Sequence, residues 1–174
     1  MKNTIKLLAI VLLVFTFNSC DKVEELADID INTTITEKIT VHIDQNQETI
    51  NQNVTLSLDN SDTHDYLNKI KQVSITKLTY NIIEFTGDEN GTINVDFLVD
   101  NVMLIQENII VKQADDNQTI FEVTDVNKLN IIANALKNNH QISTSVSGST
   151  IALDDVMDFK INVTIDLNIV ANPL

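Results

Sequence analysis

The stretch FKINVTIDLNI, residues 159–169, decides the fold. Every odd-numbered residue in it is apolar, and every even-numbered residue is polar or charged. Because successive side chains of a strand point to opposite faces of a sheet, this alternation predicts a long strand with one buried face. Residues 29–43 repeat the pattern at six of their odd positions, with Ile29, Ile31, Ile35, Ile39, Val41 and Ile43 apolar. Long strands near both ends of a domain often lie side by side.

Shorter alternating segments fill the middle of the chain at residues 54–58, 73–82, 93–99, 103–111 and 119–123. Within the second segment the apolar phase shifts near Thr76 and Lys77, which predicts a bulge. Asn90-Gly91 is the strongest short hairpin signal and predicts a hairpin after that segment. Asp100-Asn101 and residues 115–117 are further turn candidates. Residues 146–151, which contain Gly148, are interpreted as a strand end or a turn.

Two segments break the alternation and predict helices. In residues 61–72, Asp62 can cap a short helix. In residues 124–138, Thr124 or Asp125 can cap a helix whose apolar face comprises Val126, Leu129, Ile132, Ala133 and Leu136. The chain is therefore predicted to be mainly β, an antiparallel β-sandwich of about seven or eight strands with two short helices. By strand count and helix placement this layout distantly resembles immunoglobulin-like and late-embryogenesis-abundant type 2 sandwiches.

The first 19 residues differ from the rest of the chain. Lys2 and Lys6 precede an apolar run at residues 7–17. Ser19 then precedes Cys20. A basic start, an apolar run and a small residue at the cleavage point are typical of a secretory signal peptide. An uncleaved anchor helix is the alternative, but a comfortable bilayer span needs about 20 apolar residues.

Cys20 is the only cysteine, so it cannot form an internal disulfide. The segment FNSC, residues 17–20, resembles the bacterial lipobox in the looser form of Bacteroidota-type lipoproteins. Phe17 stands where leucine is usual, and Asn18 is bulkier than the typical residue. The resemblance implies removal of residues 1–19, lipid attachment at Cys20 and an acylated new N-terminus. Two or more acyl chains would hold the protein firmly to a membrane.

An acidic run, DKVEE at residues 21–25, follows the cysteine. It resembles the export tags of surface-exposed lipoproteins, which implies a lipid-anchored protein of the outer membrane, exposed at the cell surface. A plain charged tether and inner-membrane retention by Asp21 are the alternatives. The predicted organisation is a signal peptide at 1–19, an acidic tether at 20–27 and a single sandwich domain at 28–174.

Charge excludes several partners. The chain has 25 acidic residues against 11 lysines and no arginine, for a net charge of −14. Nucleic-acid binding needs a basic surface, so nucleic acid is excluded as a partner. Attraction to anionic lipid is excluded for the same reason, which leaves the acyl chains as the contact with the membrane. The absence of tryptophan counts against a carbohydrate-binding module, because sugars stack on exposed aromatic rings.

No pattern in the sequence predicts catalysis. His42, His64 and His140 are far apart and lack the spacing of a zinc site. Ser147-Gly148-Ser149 lacks the strand–turn–helix context of a nucleophile elbow. Three glycines are too few for a phosphate-binding loop. We therefore expect no enzyme, and neither catalytic residues nor a cofactor or metal site.

The leading hypothesis is a non-enzymatic, membrane-anchored lipoprotein of the cell envelope, a binding or structural module whose partner is an envelope protein or polymer. One alternative is a carrier of an apolar ligand in a cavity between the sheets. Another is a calcium-dependent adhesion or carbohydrate-binding module, because the turns at 88–90, 114–117 and 154–158 are rich in carboxylates. The same residues are also good turn formers.

Overall fold

The computed structural model describes residues 28–45, 49–100, 102–150 and 154–172. Within these ranges, eight strands form two antiparallel sheets. The strands are β1 (Ile29–Ile43), β2 (Thr49–Ser57), β3 (Ile70–Gly87), β4 (Thr92–Val99), β5 (Val102–Ile110), β6 (Ile120–Glu122), β7 (Gln141–Thr150) and β8 (Met157–Ala171). The helices are a 3-10 helix (His64–Lys69), α1 (Val111–Asp116) and α2 (Val126–Asn139). None of these helices is long and apolar enough to cross a bilayer.

The strand order is that of one long hairpin folded onto itself. Sheet A has the order β1-β8-β3-β6, and sheet B has the order β2-β7-β4-β5. Each of β1 to β4 pairs with the strand that mirrors it from the other end of the chain. This nesting of eight strands in two sheets is a jelly roll, and it confirms the predicted antiparallel sandwich. Immunoglobulin sandwiches have the strand order A-B-E-D in one sheet and C-F-G in the other. The resemblance to immunoglobulin-like sandwiches therefore extends to the two packed sheets and not to the order in which the strands are connected.

β8 lies at the centre of sheet A, between β1 and β3. Its odd-numbered side chains are buried and its even-numbered ones are half-buried, as the alternation predicts. The 15 residues of β1 pair with β8 without a break, from Ile29–Ala171 to Ile43–Met157. From sheet B, Ile93, Phe97 and Val146 point into the same core. Burying one such side chain contributes about 1.5–3 kcal/mol relative to leaving it exposed.

The turn at residues 87–91 is not a hairpin. β3 belongs to sheet A and β4 to sheet B, so the chain crosses between the sheets here and the hairpin predicted from Asn90-Gly91 is wrong. Gly87 turns the chain with a φ of +111°. The amide of Asp88 then donates to the carbonyl of Val156 at 3.2 Å, which ties this crossing to the connection between β7 and β8.

The predicted turn at Asp100 and the predicted bulge near Thr76 are confirmed. Asp100, with a φ of +49°, lies in the hairpin that joins β4 to β5 within sheet B. The register of β3 against β8 shifts between Ile75 and Lys77, which confirms the predicted bulge. Residues 115–117 end α1, which carries the chain from sheet B to sheet A. The sequence analysis did not predict that helix.

The helix predictions are confirmed in part. α2 begins after Asp125, whose carboxylate accepts from the amides of Asn127 at 2.9 Å and Lys128 at 3.3 Å. The helix predicted over 61–72 is confirmed only as the 3-10 helix His64–Lys69, because β3 begins at Ile70 and pairs with β8 from there. Of the predicted strand end or turn at 146–151, residues 146–150 are more regular than expected, since β7 runs from Gln141 to Thr150, and Ile151 lies outside the described residues.

Candidate interaction surfaces

The two ends of the sandwich differ in what they join. At one end, which we call the entry end, β1 begins, β8 ends and β3 begins, and Lys71 Nζ lies 2.8 Å from Asp28 Oδ1. At the opposite end, which we call the far end, β1 ends at Ile43 beside Met157 and Gly87. Cys20, the signal peptide and the acidic run lie outside the described residues, so the lipid attachment at Cys20 stays a prediction.

Asp88 organises the far end. Its carboxylate accepts from the amide of Asp154 at 2.6 Å and from the amide of Asn90 at 2.8 Å. These backbone hydrogen bonds, the one from Asp154 first, lower the pKa of Asp88 below its ordinary value. The structure therefore brings two of the predicted acidic turns, 88–90 and 154–158, together. It joins them by a carboxylate that binds backbone amides.

The carboxylates of the third acidic turn, 114–117, are also engaged by the protein. Asp115 Oδ2 accepts from the amide of Phe85 at 3.0 Å, and Asp116 Oδ2 accepts from Lys112 Nζ at 2.7 Å. Among the residues that the structure describes, no group of three or more His, Cys, Asp or Glu side chains could hold a metal ion. The geometry at these turns favours the turn-forming interpretation over the calcium interpretation.

The three histidines lie in three different places. His42 Nδ1 lies 2.6 Å from Asp158 Oδ1 at the far end, and His42 Nε2 lies 3.3 Å from Asp44 Oδ1. His64 is the first residue of the 3-10 helix, and its Nδ1 lies 2.7 Å from Oδ1 of Asp59, which precedes the helix. The hydrogen bond to the carboxylate raises the pKa of both histidines above the ordinary value.

His140 has a structural role at the end of a helix. It ends α2 with a left-handed φ of +59°, and its carbonyl accepts from the amide of Leu58 at 2.8 Å. The two exposed His–Asp pairs and this helix end share no partner.

The space between the sheets is filled. An apolar void of about 10 Å³ is lined by Tyr80, Ile82, Ile93, Val95, Phe97, Ile109, Val146 and Ile161. That volume holds about one water molecule, whereas sites for small ligands measure roughly 300–1,000 Å³. The rings of Tyr80 and Phe121 stack with centroids 4.8 Å apart beside this void. In the described part of the sandwich, the geometry counts against a carrier of an apolar ligand.

Among the described residues of this core cluster, Tyr80 is the one ionisable side chain. Its hydroxyl makes no hydrogen bond of ordinary geometry among the described residues. Burial, and then the negative charge of Glu107, raise the pKa of Tyr80 above its ordinary value. The phenol is therefore neutral at physiological pH, as a packed core requires.

The outer face of sheet B carries a surface that the sequence analysis missed. β2 and β7 contain no Asp, Glu or Lys, although 21% of the whole chain is charged. We call this pair of strands the neutral edge. Its exposed residues are Thr49, Asn51, Asn53, Thr55, Gln141, Ser143 and Ser149. In the sequence, this surface could have been recognised from two stretches without charged residues, 49–57 and 141–150.

Ser147-Gly148-Ser149 belongs to the neutral edge and has a structural basis. It lies within the regular strand β7, and Gly148 pairs with both Ile50 of β2 and Val95 of β4. A Cβ atom at Gly148 would overlap the carbonyl oxygen of Asn94. The glycine is therefore needed for close approach of two backbones, a known use of glycine within strands.

Comparison with known proteins identifies no family. No family model matches the chain, and no curated protein matches it. Among solved structures, the decameric BFDV capsid protein is 9% identical with a TM-score of 0.44, over 81% of this chain and 99% of that one. The Desmodium yellow mottle tymovirus is 11% identical with a TM-score of 0.41, over 84% of each chain. Likenesses at this level carry no inference about the function of this chain.

Proposed function

We propose that the chain is a non-enzymatic lipoprotein of the bacterial cell envelope, anchored in the outer membrane through acyl chains on Cys20. Its sandwich domain serves as a binding or structural module at the cell surface. One observation carries the proposal. Two lysines, an apolar run at residues 7–17, Ser19, Cys20 and an acidic run occur in this order within the first 25 residues.

The fold supports this arrangement by the position of the entry end. β1 begins there at Ile29, directly after the eight residues 20–27 that would form the tether. An extended chain spans at most roughly 3.6 Å per residue, so this tether reaches about 29 Å at most. The entry end would therefore lie close to the membrane, and the far end, which carries Asp88 and His42, would point away from it.

The surface charge supports a lipid anchor over direct membrane binding. The chain has a net charge of −14, so an anionic membrane repels the sandwich domain. Among the described residues, no helix is long and apolar enough to cross the bilayer. Acyl chains on Cys20 supply the attachment that the domain surface does not.

The test is replacement of Cys20 by serine in the full chain, expressed in a bacterium that acylates lipoproteins. The wild type should sediment with membranes and incorporate labelled palmitate, and Cys20→Ser should lose the label and leave the membrane fraction. Asn18→Ala is the matched control, because it places a small residue before Ser19 and should keep both properties. Membrane association of an unlabelled Cys20→Ser protein would contradict the proposal.

Exposure at the cell surface is tested separately with a protease. If the sandwich is surface-exposed, proteinase K added to intact cells should digest it. Protection in intact cells, followed by digestion after permeabilisation of the outer membrane, would place the domain on the inner side and contradict surface exposure. A periplasmic protein of known location serves as the control for cell integrity.

A further inference from the structure

The neutral edge ends in a strand without the protection that sheet edges normally have. Within the described residues, β2 pairs with β7 alone, so its other side forms one edge of sheet B. The backbone groups along such an edge can pair with another strand. Natural proteins therefore block edges with charge, proline, bulges, short strands or a covering helix.

The three other edges show such protection. β1 presents the exposed side chains of Asp30, Lys38 and His42. β6 is only three residues long. β5 has a register shift against β4, and α2 covers it with Lys128, whose Nζ donates to the carbonyl of Leu104 at 3.1 Å.

In the part of the chain that the structure describes, β2 has none of these devices. Its nine residues, TINQNVTLS, include no charge and no proline, and they pair with β7 in unbroken register. Its exposed side chains are hydroxyls and amides, whereas Gln52 and Val54 on the inner face are only half-buried. A second strand placed alongside would cover these two side chains.

We propose that β2 pairs with β2 of a second copy of this chain, antiparallel about a two-fold axis at Asn53. The dimer contains one continuous eight-stranded sheet with both neutral edges at its centre. Because the interface is isologous, each contact away from the axis occurs twice and the assembly closes as a dimer.

The sequence of β2 is self-complementary in this register. On the outer face, Asn53 lies opposite itself and Asn51 lies opposite Thr55 of the second copy, so amides and hydroxyls meet. Because amides and hydroxyls both donate and accept hydrogen bonds, such cross-strand neighbours can pair with one another. On the inner face, Ile50 lies opposite Leu56, and both are buried apolar residues of the core.

Electrostatics favour this surface over the others. Two copies with a net charge of −14 each repel one another wherever their carboxylates approach. Across sheet B, the first charged residue beyond the neutral edge is Asp96 on β4, two strands from β2. Along the chain, Asp59 follows the end of β2 by two residues, and its carboxylate lies 2.7 Å from His64 Nδ1. Two strand spacings are about 10 Å, which exceeds the screening length of about 8 Å at physiological ionic strength.

A single-cysteine crosslink tests the pairing directly. The background is the full chain with Cys20→Ser, solubilised in mild detergent, so that the introduced cysteine is the only thiol. Asn53→Cys places a thiol on the two-fold axis, where antiparallel partners lie roughly 4.5–5.5 Å apart between Cα atoms and can form a disulfide. Asn108→Cys is the matched control, because Asn108 is an exposed asparagine on the opposite edge strand of the same sheet.

We expect the Asn53→Cys protein to form a covalent dimer at least ten times faster than the Asn108→Cys protein under the same mild oxidation. Equal rates at both positions, or no dimer at position 53, would overturn the proposal. Unchanged circular dichroism of both reduced proteins shows that neither substitution unfolds the domain.

A charge substitution gives an independent measurement. Asn53→Lys in the full lipidated chain places two ammonium groups beside each other on the axis. It should weaken dimerisation at least tenfold in sedimentation equilibrium, whereas Asn108→Lys should leave it unchanged. Dimerisation that both lysine variants keep, or both lose, would locate the contact elsewhere and contradict the proposal.

Discussion

The two sheets bury their inner faces in the same way and differ on their outer faces. Sheet A has three strands of 15 to 18 residues, and its outer face carries ion pairs such as Lys38–Glu84 at 3.7 Å, Lys160–Glu84 and His42–Asp158. The four strands of sheet B contain two charged residues, Asp96 and Glu107. The apolar residues at alternate positions, which face the core, are sufficient to specify the sandwich. The residues on the outer faces decide what each sheet can contact.

The largest expected effect tests whether both sheets share one core. Phe159 of sheet A and Phe97 of sheet B are 2% and 3% exposed, and both point between the sheets. Truncating a buried phenylalanine to alanine costs about 3–5 kcal/mol of unfolding free energy, because contacts are lost and a cavity remains. Phe159→Ala and Phe97→Ala should therefore destabilise the domain to a similar extent in urea unfolding.

The matched control is Ile120→Ala on β6. Ile120 is 66% exposed, so this loss of apolar atoms should change the unfolding free energy by less than about 0.5 kcal/mol. A cost below about 1 kcal/mol for Phe97→Ala, with the full cost for Phe159→Ala, would show that sheet B packs more loosely than sheet A.

A smaller effect is expected where the two sheets connect. Asp88 lies in the crossing from β3 to β4 and accepts from the amide of Asp154, near the start of β8. Asp88→Asn keeps the shape of the side chain and removes its charge. Because hydrogen bonds to charged groups are stronger than neutral ones, we expect a loss of about 1–2 kcal/mol at pH 7. Glu89→Gln is the exposed control and should be close to neutral.

The pH dependence identifies the cause of that loss. The folded-state pKa of Asp88 lies below its ordinary value of 3.8, so the ionised form is favoured in the folded protein. Its contribution is complete above the unfolded-state pKa and is lost as the pH falls through the folded-state pKa. The stability difference between wild type and Asp88→Asn should be constant from pH 5 to 8 and shrink below about pH 4. A difference that is unchanged between pH 5 and pH 3 would assign it to shape and not to charge.

The alternation predicted the strands that one buried face requires. Residues 29–43 and 159–169 lie in β1 and β8, and the phase shift at Thr76 marks a real bulge. The helix at 126–139 also follows from its spacing and from the cap at Asp125. These features depend on neighbours in sequence, so local patterns specify them.

The connections between sheets could not be predicted in the same way. Asn90-Gly91 turns the chain, but whether the next strand pairs with the last one or crosses to the other sheet depends on the long-range pairing of β3 with β8. The β7 strand was underestimated because serine and threonine fill most of its positions outside Ile142 and Val146. The neutral edge went unnoticed because β2 and β7 are separated by 83 residues and meet only in the folded sheet.

The smallest expected effect concerns the charged outer face of sheet A. The hydrogen bond and charge of Asp158, and then the charge of Asp44, raise the pKa of His42 above 6.5. A raised folded-state pKa adds stability below the unfolded-state value, and that stability is lost as the pH rises through the folded-state value. Because His42 is exposed, solvent screens the pair and the titration is a better measure than unfolding. In Asp158→Asn the pKa of His42, followed by NMR, should fall toward 6.5, while His64, which pairs with Asp59, should titrate as in the wild type. If the pKa of His42 does not change, the two outer faces differ in composition only, and the pair contributes nothing to sheet A.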